Sequence, residues 1–460
     1  MQAVALSNEI FKAYDIRGIV GKTLTAPVVR AIGQALGTLA LERRRDTLVV
    51  GRDGRLSGPD LCAALAEGIR SSGANVIDIG MVTTPMSYFA AQHLGTQCST
   101  MVTGSHNPPD YNGLKMVIAG ATLAGDEIQT IKARIEAGTL RSGAGSARAE
   151  DIGRAYIDRI AGDVKLARPL KIAVDCGNGV AGAYAPSLYR GLGCTVTELF
   201  CDVDGHFPHH HPDPSQPKNL QDLIRCLQST DNELGFAFDG DGDRLGVVTR
   251  SGSIIYPDRQ LMLFAADVLS RNPGATVIYD VKSTRNLKPW IERHGGEPLL
   301  WKTGHSLIKA KMKETGALLA GEMSGHTFFG ERWYGFDDGL YAGARLLEIL
   351  SRHADPSAQL SALPDSVSTP ELNVPCPDAS PHALIDKLAA TARFPGADDV
   401  IRIDGLRVEY PDGFGLARAS NTTPVIVLRF EADDEPALKR IQGEFRRVFS
   451  ESMPGRVLPF

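Results

Sequence analysis

The sequence lacks the marks of a secreted or membrane-spanning protein. Its seven cysteines are odd in number and form no C-x-x-C pair, which favours reduced thiols over a disulfide framework and leaves metal binding a minor alternative. No apolar run approaches the roughly 18 residues of a membrane span, and residues 1–18 lack the basic start and apolar centre of a signal peptide. We therefore expect a cytoplasmic protein.

The chain also lacks an excess of positive charge. A net charge of −5 and a pI near 6.1 give no support for binding to nucleic acid or to an anionic membrane. Any anionic ligand must therefore be met by a local cluster of basic residues. The length of 460 residues predicts roughly three domains, and 43% hydrophobic residues are enough for a sizeable core in each. We expect a monomer.

Two familiar phosphate-binding and nucleophile motifs are absent as well. No G-x-x-x-x-G-K-[ST] occurs, and a candidate serine loop has Thr103 where a nucleophile elbow needs glycine. That loop runs from residue 100 to residue 116 and reads T-M-V-T-G-S-H-N-P-P-D-Y-N-G-L-K-M. It brings together the hydroxyl of Ser105, the imidazole of His106 and the ammonium group of Lys115.

The composition of residues 100–116 predicts a rigid loop that is neither helix nor strand. Pro108 and Pro109 remove two backbone donors, while Gly104 and Gly113 permit turns closed to other residues. A short apolar run at 99–102 comes first, so Ser105 is expected to be exposed just past a strand end, where α/β proteins place their ligands. The alternative is an ordinary surface turn.

A strand, turn, helix, glycine and strand follow one another three times along the chain. The first strands of these units begin near residues 47, 170 and 276. Repetition at roughly this spacing predicts three similar α/β domains with mixed or parallel sheets. After residue 364 the pattern changes to strands and a final amphipathic helix, which predicts an α+β domain. We expect domains at 1–150, 151–253, 254–365 and 366–460 around a central cleft, with a linker at 361–370 that could let the last domain move.

The sequence F-D-G-D-G-D-R-L at 238–245 places Asp239, Asp241 and Asp243 at alternate positions. In an extended loop this period points the three carboxylates one way, and their repulsion is costly without a cation. An EF-hand does not fit, because Arg244 stands where it needs glycine and Arg250 where it needs glutamate. Ligands that are all oxygen favour Mg²⁺, with an acidic surface turn as the alternative.

Several of these motifs resemble those of one family, the α-D-phosphohexomutases, in particular its bacterial phosphomannomutase/phosphoglucomutase group. The serine loop is similar to the family's phosphoserine loop, T-G-S-H-N-P-P-x-x-N-G-x-K, and the acidic loop to its metal loop, D-G-D-G-D-R. The resemblance covers all four expected domains in the family's order. It implies that Ser105 carries a phosphoryl group, which supplies the fourth Mg²⁺ ligand beside Asp239, Asp241 and Asp243.

The same resemblance implies roles for further residues. Residues 13–18, A-Y-D-I-R-G, match an early family motif, and 321–326, G-E-M-S-G-H, match the sugar-recognition loop in the form that glucose and mannose mutases carry. Residues 418–424, R-A-S-N-T-T-P, offer an arginine fork and neutral donors for a phosphate dianion, and they match the family's phosphate loop. The residues implied in catalysis are Ser105, Lys115, Arg17, His106 and Arg244. Those implied in substrate binding are Tyr14, Arg17, Lys282, His305, Glu322, Ser324, His326, Arg418, Ser420, Asn421 and Thr422.

Two motifs point to other functions. The sequence G-N-G-V-A-G at 177–182, with Glu198 further on, is a fair dinucleotide-binding fingerprint, although the equivalent turns of the other two repeats lack it. The four histidines within 206–211 could hold Zn²⁺, but no cysteine or acidic partner has ligand spacing. A polar connecting loop is the preferred interpretation there.

The resemblance implies a reversible phosphohexomutase that interconverts the 1-phosphate and 6-phosphate of glucose or mannose and supplies precursors of sugar nucleotides and polysaccharides. The phosphoserine would form a hexose 1,6-bisphosphate, which turns over and returns its other phosphate to the serine. Hexose phosphates are the expected small-molecule partners, and Mg²⁺ and the bisphosphate are the expected cofactors. The rivals are a phosphatase that uses the same serine, a dinucleotide enzyme and a sugar-phosphate sensor without catalysis.

Overall fold

The computed structural model describes residues 5–376, 379–421, 423–453 and 458–460. Within these residues four sheets follow one another along the chain, and we call the segments that carry them the first to fourth domains. No helix of the described residues is long and apolar enough to cross a membrane.

The first domain has a mixed sheet. Its strands are β1 (Ile16–Ile19), β2 (Thr47–Arg52), β3 (Asn75–Met81), β4 (Ser99–Val102), β5 (Tyr111–Ile118), β6 (Ala121–Thr122) and β7 (Ala147–Ala149). Its helices are α1 (Ala26–Glu42), α2 (Gly58–Ser71), α3 (Thr84–His93) and α4 (Asp126–Ala137), after a 3-10 helix at Asn8–Ile10. The strand order is β1-β5-β4-β2-β3-β7, with β6 beside β5. Strands β4, β2, β3 and β7 run parallel, whereas β1 and β5 pair antiparallel.

The second and third domains repeat this mixed α/β arrangement. The second contains α5 (Gly153–Asp163), β8 (Lys171–Asp175), α6 (Ala185–Gly191), β9 (Thr195–Leu199), α7 (Gln221–Ser229), β10 (Leu234–Phe238), β11 (Leu245–Thr249) and β12 (Ile254–Ile255), with 3-10 helices at Val180–Ala183 and Pro217–Leu220. The third contains α8 (Pro257–Arg271), β13 (Thr276–Asp280), α9 (Leu287–Arg293), β14 (Glu297–Trp301), α10 (His305–Thr315), β15 (Leu319–Gly321), β16 (Thr327–Phe329), α11 (Gly339–Leu350) and α12 (Pro356–Ser361). Their strand orders are β12-β11-β10-β8-β9 and β14-β13-β15-β16.

The fourth domain has an antiparallel sheet and is therefore α+β. It contains β17 (Val367–Ser368), β18 (Leu372–Pro375), α13 (Pro381–Thr391), β19 (Asp399–Ile401), β20 (Leu406–Tyr410), β21 (Gly413–Ala419), β22 (Val425–Ala432) and α14 (Glu435–Ser452). The strand order is β17-β22-β21-β20-β19, with β18 also beside β22. The predicted fold class, three similar α/β domains followed by an α+β domain, is confirmed.

The prediction that residues 100–116 form neither helix nor strand is wrong at both ends of the segment. Strands β4 and β5 pair antiparallel, with Met101 opposite Lys115, so only residues 103–110 are irregular. The glycine at 113 serves close packing rather than a turn, because a Cβ there would lie 2.3 Å from the carbonyl oxygen of Ile16 on β1. Lys115 therefore projects from a regular strand, which fixes its position firmly.

One hydrophobic core spans the first three domains. Met101 of the first, Phe236 of the second and Phe329 of the third belong to the same buried cluster. The fourth domain has a cluster of its own, which includes Leu428 and Phe445. The first three domains thus form a common support. The fourth domain has its own core and shares a smaller buried cluster with the third, in which Val281 packs with Phe414 and Leu416.

Asp338 ties the second domain to the third. Its carboxylate caps α11 by accepting the Tyr341 N–H at 2.9 Å, and it accepts the Tyr156 hydroxyl of α5 at 2.8 Å. The side chain is almost wholly buried, and this burial raises the pKa of Asp338 to about 7. Folding therefore places a carboxyl that titrates near neutrality in a dry interface.

We predict that Asp338→Asn removes a pH-dependent loss of stability. Between about pH 4 and pH 7 the folded protein keeps a proton on Asp338 that the unfolded chain, with its ordinary carboxyl pKa, has lost. The free energy of unfolding of the wild type should therefore fall relative to the variant by about 3 kcal/mol from pH 5 to pH 8. Denaturant unfolding measures this difference, and Asp355→Asn, at the exposed N-cap of α12, is the control. A pH-independent difference between wild type and Asp338→Asn would contradict the assignment.

Candidate active site

Residues 103–110 form the serine loop between β4 and β5. Ser105 has a left-handed backbone, with φ 48°, which residues other than glycine rarely adopt. Its hydroxyl lies 3.2 Å from Asp239 Oδ2 and 3.1 Å from His106 Nδ1. The expectation that Ser105 is exposed is wrong, because only 2% of it is accessible. The acidic loop of the second domain covers it so closely that a Cβ on Gly240 of that loop would lie 2.4 Å from the Ser105 carbonyl oxygen.

Three carboxylates converge beside this hydroxyl. Asp239, Asp241 and Asp243 follow β10, are fully buried, and each offers a ligand atom within 4.8 Å of the others. The loop is turned rather than extended as expected, since Gly242 has a φ of 75°. Among the described residues, Asp241 Oδ1 has no hydrogen-bond partner, and Asp243 Oδ1 has His326 Nε2 at 3.3 Å as its partner. Buried carboxylate oxygens without partners are costly, and a hard cation such as Mg²⁺ fits this set of oxygens.

Basic side chains offset part of this negative charge. Lys115 Nζ lies 2.7 Å from Asp241 Oδ2 and also bonds the Asp243 carboxylate. Burial disfavours the ammonium charge, but Asp241 and Asp243 outweigh it and raise the pKa of Lys115 well above its usual value. Burial together with the neighbouring Asp243 and Asp241 raises the pKa of Asp239 far above the ordinary range. Arg244 lies further off, with Nε 3.8 Å from Asp239 Oδ2.

The G-E-M-S-G-H loop, at 321–326 of the third domain, contacts the acidic loop of the second domain through His326. Nδ1 of His326 is 3.0 Å from both Glu322 Oε2 and Ser324 Oγ, and Nε2 is 3.3 Å from Asp243 Oδ1. Burial opposes the imidazolium, but Asp243, and less strongly Glu322, raise the pKa of His326 to about 9. His326 therefore carries a positive charge between two carboxylates.

The second histidine of the site is neutral. Burial and then the charge of Lys309 lower the pKa of His305 well below its usual value. Its ring lies 5.7 Å from that of His326. Within the described part of the chain its Nδ1 has no hydrogen-bond partner, and Asp337 Oδ2 lies 3.8 Å away. Two adjacent imidazoles thus occupy opposite charge states, so one can donate a proton while the other can accept one.

The fourth domain contributes a basic loop between β21 and β22. Arg418 is 5% exposed and bonds Asp404 Oδ2 through Nε at 3.0 Å. The side-chain amide of Asn421 donates to the Tyr14 hydroxyl, which itself donates to the Thr303 carbonyl oxygen at 2.9 Å. The fourth domain therefore touches the first at this point, and it touches the third through Asp404, whose Oδ2 accepts the Thr303 N–H at 3.0 Å. Ser420 Oγ lies 2.9 Å from Thr423 Oγ1, and Thr422 lies outside the described residues.

One cleft of about 780 Å³ unites these groups. Of the residues singled out from the sequence, those that line it are Tyr14, Arg17, His106, Arg244, Lys282, His305, Glu322, Ser324, His326, Arg418, Ser420 and Asn421. Ser105, Lys115 and the three aspartates are buried next to this lining. His106, the neighbour of Ser105, and Arg418 thus face the same space.

Sequence reasoning missed several partners of these residues. Arg17 donates to Asn107 Oδ1 at 2.6 Å and also bonds Asp15, and Lys282 bonds Glu371 Oε1 at 2.5 Å. Asn107 and Asp15 lie inside motifs that the sequence analysis recognised, so their pairing with the cation Arg17 could have been suspected from the sequence. Glu371 lies 89 positions from Lys282, so only the tertiary fold reveals that pair.

Thr84, at the start of α3, is another missed residue. Its hydroxyl donates to Asp241 Oδ2 at 2.5 Å, and its N–H donates to the Asp241 carbonyl oxygen at 2.9 Å. The first domain therefore orients a carboxylate of the second. A T-T-P sequence at the start of a helix gives no hint of this contact.

The two motifs that suggested other functions have structural explanations. A Cβ on Gly182 would lie 2.0 Å from the Cys201 carbonyl oxygen, so this glycine permits packing within the protein rather than the approach of a dinucleotide. The histidines of 206–211 do not converge. His209 lies 2.8 Å from Asn178 Oδ1, and His210 lies 2.9 Å from Asp175 Oδ1.

Each domain of the chain matches a family model. The matches are described as phosphoglucomutase/phosphomannomutase, with alpha/beta/alpha domain I at residues 8–142, alpha/beta/alpha domain II at 154–252, alpha/beta/alpha domain III at 256–367 and the C-terminal domain at 371–448. This set of domains, together with the cleft, defines a mutase. The chain belongs to the phosphoglucomutase/phosphomannomutase family of α-D-phosphohexomutases.

Named relatives are similar over the whole length. The chain is 61% identical over 458 residues to a phosphoglucomutase of Neisseria gonorrhoeae, covering 99% of each chain. It is 55% identical over 460 residues to a phosphomannomutase/phosphoglucomutase of Pseudomonas aeruginosa, covering 100% of this chain and 99% of the relative. A crystal structure of a phosphoglucomutase/phosphomannomutase family protein from Burkholderia thailandensis matches with a TM-score of 0.95 and 62% identity, covering 99% of this chain and 100% of that one.

We predict that Thr84→Val weakens Mg²⁺ binding about tenfold, because groups that orient a ligand carboxylate typically contribute this much to metal affinity. Calorimetric titration of metal-free protein with Mg²⁺ measures the change. Thr100→Val is the matched control, since its buried hydroxyl on β4 has no hydrogen-bond partner. Equal Mg²⁺ affinities for the two variants would contradict a role of Thr84 in orienting Asp241.

Proposed function

We propose that the protein is a Mg²⁺-dependent phosphohexomutase that interconverts the 1-phosphate and 6-phosphate of glucose and mannose through phosphoserine 105 and a hexose 1,6-bisphosphate. The observation that carries the proposal is the position of Ser105. Its hydroxyl lies 3.2 Å from Asp239, and its neighbour His106 faces the same cleft as the buried Arg418. The names of the relatives from Neisseria and Pseudomonas support the same activity.

The serine end of the cleft suits phosphoryl transfer because it concentrates positive charge. A phosphoserine adds about two negative charges, and in such transfers positioning and charge neutralisation matter more than covalent chemistry. Lys115 lies under the site, while Arg17, Arg244 and His106 line its wall. We assign these four residues to catalysis. Lys115, Arg17 and Arg244 would hold and neutralise the transferred phosphoryl group. Burial and then the charge of Arg244 lower the pKa of His106 well below its usual value, so it would act as a neutral hydrogen-bonding partner beside Ser105.

The acidic trio would hold the metal. Asp239, Asp241 and Asp243 present all-oxygen ligands, and Asp241 Oδ1 lacks a hydrogen-bond partner within the described residues. A phosphoserine oxygen at Ser105 would complete the set. A bound Mg²⁺ would supply further charge neutralisation at the phosphoryl group. Lys115, which already pairs with two of these carboxylates, keeps the trio together.

The opposite phosphate of the substrate requires a clamp that works in both orientations. Arg418 offers a fork of donors and Ser420, Asn421 and Thr422 add neutral ones. We infer that this loop grips whichever phosphate is not being transferred. Lys282 and Tyr14 line the same cleft beside it.

The sugar would lie between the two phosphate sites. Glu322 and Ser324 carry the oxygens that can accept from sugar hydroxyls, and both line the cleft. The charged His326 suits contact with a phosphate or donation of a proton, whereas the neutral His305 suits acceptance of a proton. We therefore place proton transfer to and from the sugar oxygen at this pair.

The fourth domain would act as a lid. It has its own core, and it reaches the first domain through the contact of Asn421 with Tyr14. Closure would exclude water, which would otherwise hydrolyse the phosphoserine. The expectations of a monomer and of a cytoplasmic location stay predictions.

The decisive experiment supplies glucose 1-phosphate or mannose 1-phosphate with a trace of glucose 1,6-bisphosphate and measures the 6-phosphate formed. We predict that Ser105→Ala abolishes nearly all turnover, because no other group would accept the phosphoryl group, while sugar-phosphate binding persists. Ser99→Ala is the matched control, since this serine is also buried, on β4, and its hydroxyl has no partner. Undiminished turnover by Ser105→Ala would refute the phosphoserine.

Companion measurements of inorganic phosphate, of hexose-phosphate binding and of NAD(H) binding separate the rival functions. A phosphatase would release inorganic phosphate in amounts that match substrate loss, and a sensor would bind hexose phosphates without turnover. A dinucleotide enzyme would bind NAD(H) in the absence of sugar.

We also predict that the enzyme is silent after chelation and recovers on addition of Mg²⁺, since three buried carboxylates are the proposed metal ligands. The test is turnover after EDTA treatment, with residual metal measured by atomic emission and Mg²⁺ then added back. Full activity in protein shown to be metal-free would rule out the metal requirement.

A further inference from the structure

Arg55 is a buried cation with an unusual set of partners. It ends the G-R-D-G-R sequence at 51–55, which begins in the last residues of β2, and only 1% of it is exposed. Its Nη1 donates to the carbonyl oxygens of Pro108 at 2.6 Å and Tyr111 at 2.9 Å. Its Nη2 donates to those of Ser105 at 2.8 Å and Asn107 at 2.6 Å. One planar guanidinium thus binds four main-chain carbonyls of the serine loop and its end.

Asp53 holds the other side of the same loop. Its Oδ2 accepts the Thr103 hydroxyl at 2.7 Å and the Gly104 N–H at 3.2 Å, and it lies 3.3 Å from Arg55 Nε. The Thr103 oxygen in turn accepts the Ser105 N–H at 2.8 Å. The backbone of Ser105 is therefore fixed from its nitrogen by Asp53, through Thr103, and from its oxygen by Arg55.

This arrangement explains why residue 104, in T-G-S-H, is a glycine. A Cβ on Gly104 would lie 2.4 Å from both Cζ and Nε of Arg55. The backbone of Gly104 does not have a positive φ, so the expectation that it permits a special turn is wrong. Its role is to leave room for the guanidinium.

The second domain closes the remaining face of Arg55. The guanidinium carbon lies 5.2 Å from the centre of the Phe207 ring, and Nε2 of His211 donates to the His106 carbonyl oxygen. The histidine-rich segment 206–211, which has no assigned role above, thus packs on the serine loop. Arg55 and this segment hold the loop between two domains.

We propose that Arg55 is a positioning residue for phosphoryl transfer at Ser105. Its four hydrogen bonds hold Ser105 in the left-handed conformation, which costs energy for any residue but glycine, and so direct the hydroxyl toward Asp239. The inference rests on the proposed function of Ser105. Arg55 does not line the cleft, and its hydrogen bonds to the serine loop reach the backbone and not the reacting groups.

The step that depends on this geometry is the loading of the serine. The Ser105 oxygen attacks a phosphorus atom of the hexose bisphosphate, the new Oγ–P bond forms as the sugar O–P bond breaks, and the serine proton ends on the sugar oxygen. Such a transfer is sensitive to misplacement of the attacking atom by about 1 Å, at a cost of roughly 100-fold. A lysine at 55 cannot replace the guanidinium, because a single ammonium group offers three donors from one point.

The test compares Arg55→Lys with Arg345→Lys. Arg345 is also fully buried, but it pairs with Asp267 and Glu331 in the third domain, away from the loop. Intact mass spectrometry follows phosphorylation of Ser105 by glucose 1,6-bisphosphate, and steady-state kinetics give kcat and KM. We expect Arg55→Lys to lower the phosphorylation rate and kcat roughly 10- to 100-fold, with the KM for glucose 1-phosphate within about twofold, since the substrate-binding residues are untouched. Arg345→Lys should lose thermal stability alone.

A second variant keeps the proposal testable if Arg55→Lys folds poorly. Gly104→Ala retains the arginine but pushes its guanidinium away, so it should slow phosphorylation in the same way. The double variant should be little slower than the worse single one, because both changes remove the same contacts. Equal phosphorylation rates in wild type and both single variants would overturn the inference, as would an equal loss in Arg345→Lys. A wild type that turns over hexose phosphates but never gains a phosphoryl group on Ser105 would overturn the phosphoserine itself.

Discussion

The structure depends on the confinement of three carboxylates in a space that water does not reach. Asp239, Asp241 and Asp243 lie within 4.8 Å of one another and are fully buried, which is costly unless positive charge is close by. Lys115 provides that charge from a strand of a different domain. The first and second domains are therefore joined electrostatically at the point where the serine loop and the acidic loop meet.

The common core of the first three domains makes this confinement possible. Because Met101, Phe236 and Phe329 pack in one cluster, the loops that each domain contributes to the cleft cannot shift independently. A side chain such as Thr84 can then orient a carboxylate 157 positions further along the chain. The fourth domain stands outside this cluster with a core of its own. It is joined to the third domain by a smaller buried cluster of Val281 with Phe414 and Leu416, so the clamp loop is held by a separate set of contacts.

Much of this could be predicted from the sequence, because the signals were local. The repeated strand and helix pattern indicated the fold class, and short motifs indicated the groups that line the cleft. The errors came from tertiary packing. Ser105 appeared exposed because its covering loop lies 134 positions away, and Gly104 appeared to serve a turn because the neighbouring Arg55 is invisible in a local sequence window. The pairing of residues 111–118 with β4 was missed because the prolines and glycines of that segment suggested an irregular chain.

The way in which Arg55 binds the serine loop has a consequence for how the loop can change in evolution. All four acceptors are main-chain carbonyls, which every amino acid possesses. The side chain at Asp110, which is exposed, can therefore vary without altering the backbone contacts that hold the serine. The backbone that positions the Ser105 hydroxyl is thus separate from the side chains that face solvent. Substitution of a solvent-facing side chain should leave the position of the hydroxyl unchanged.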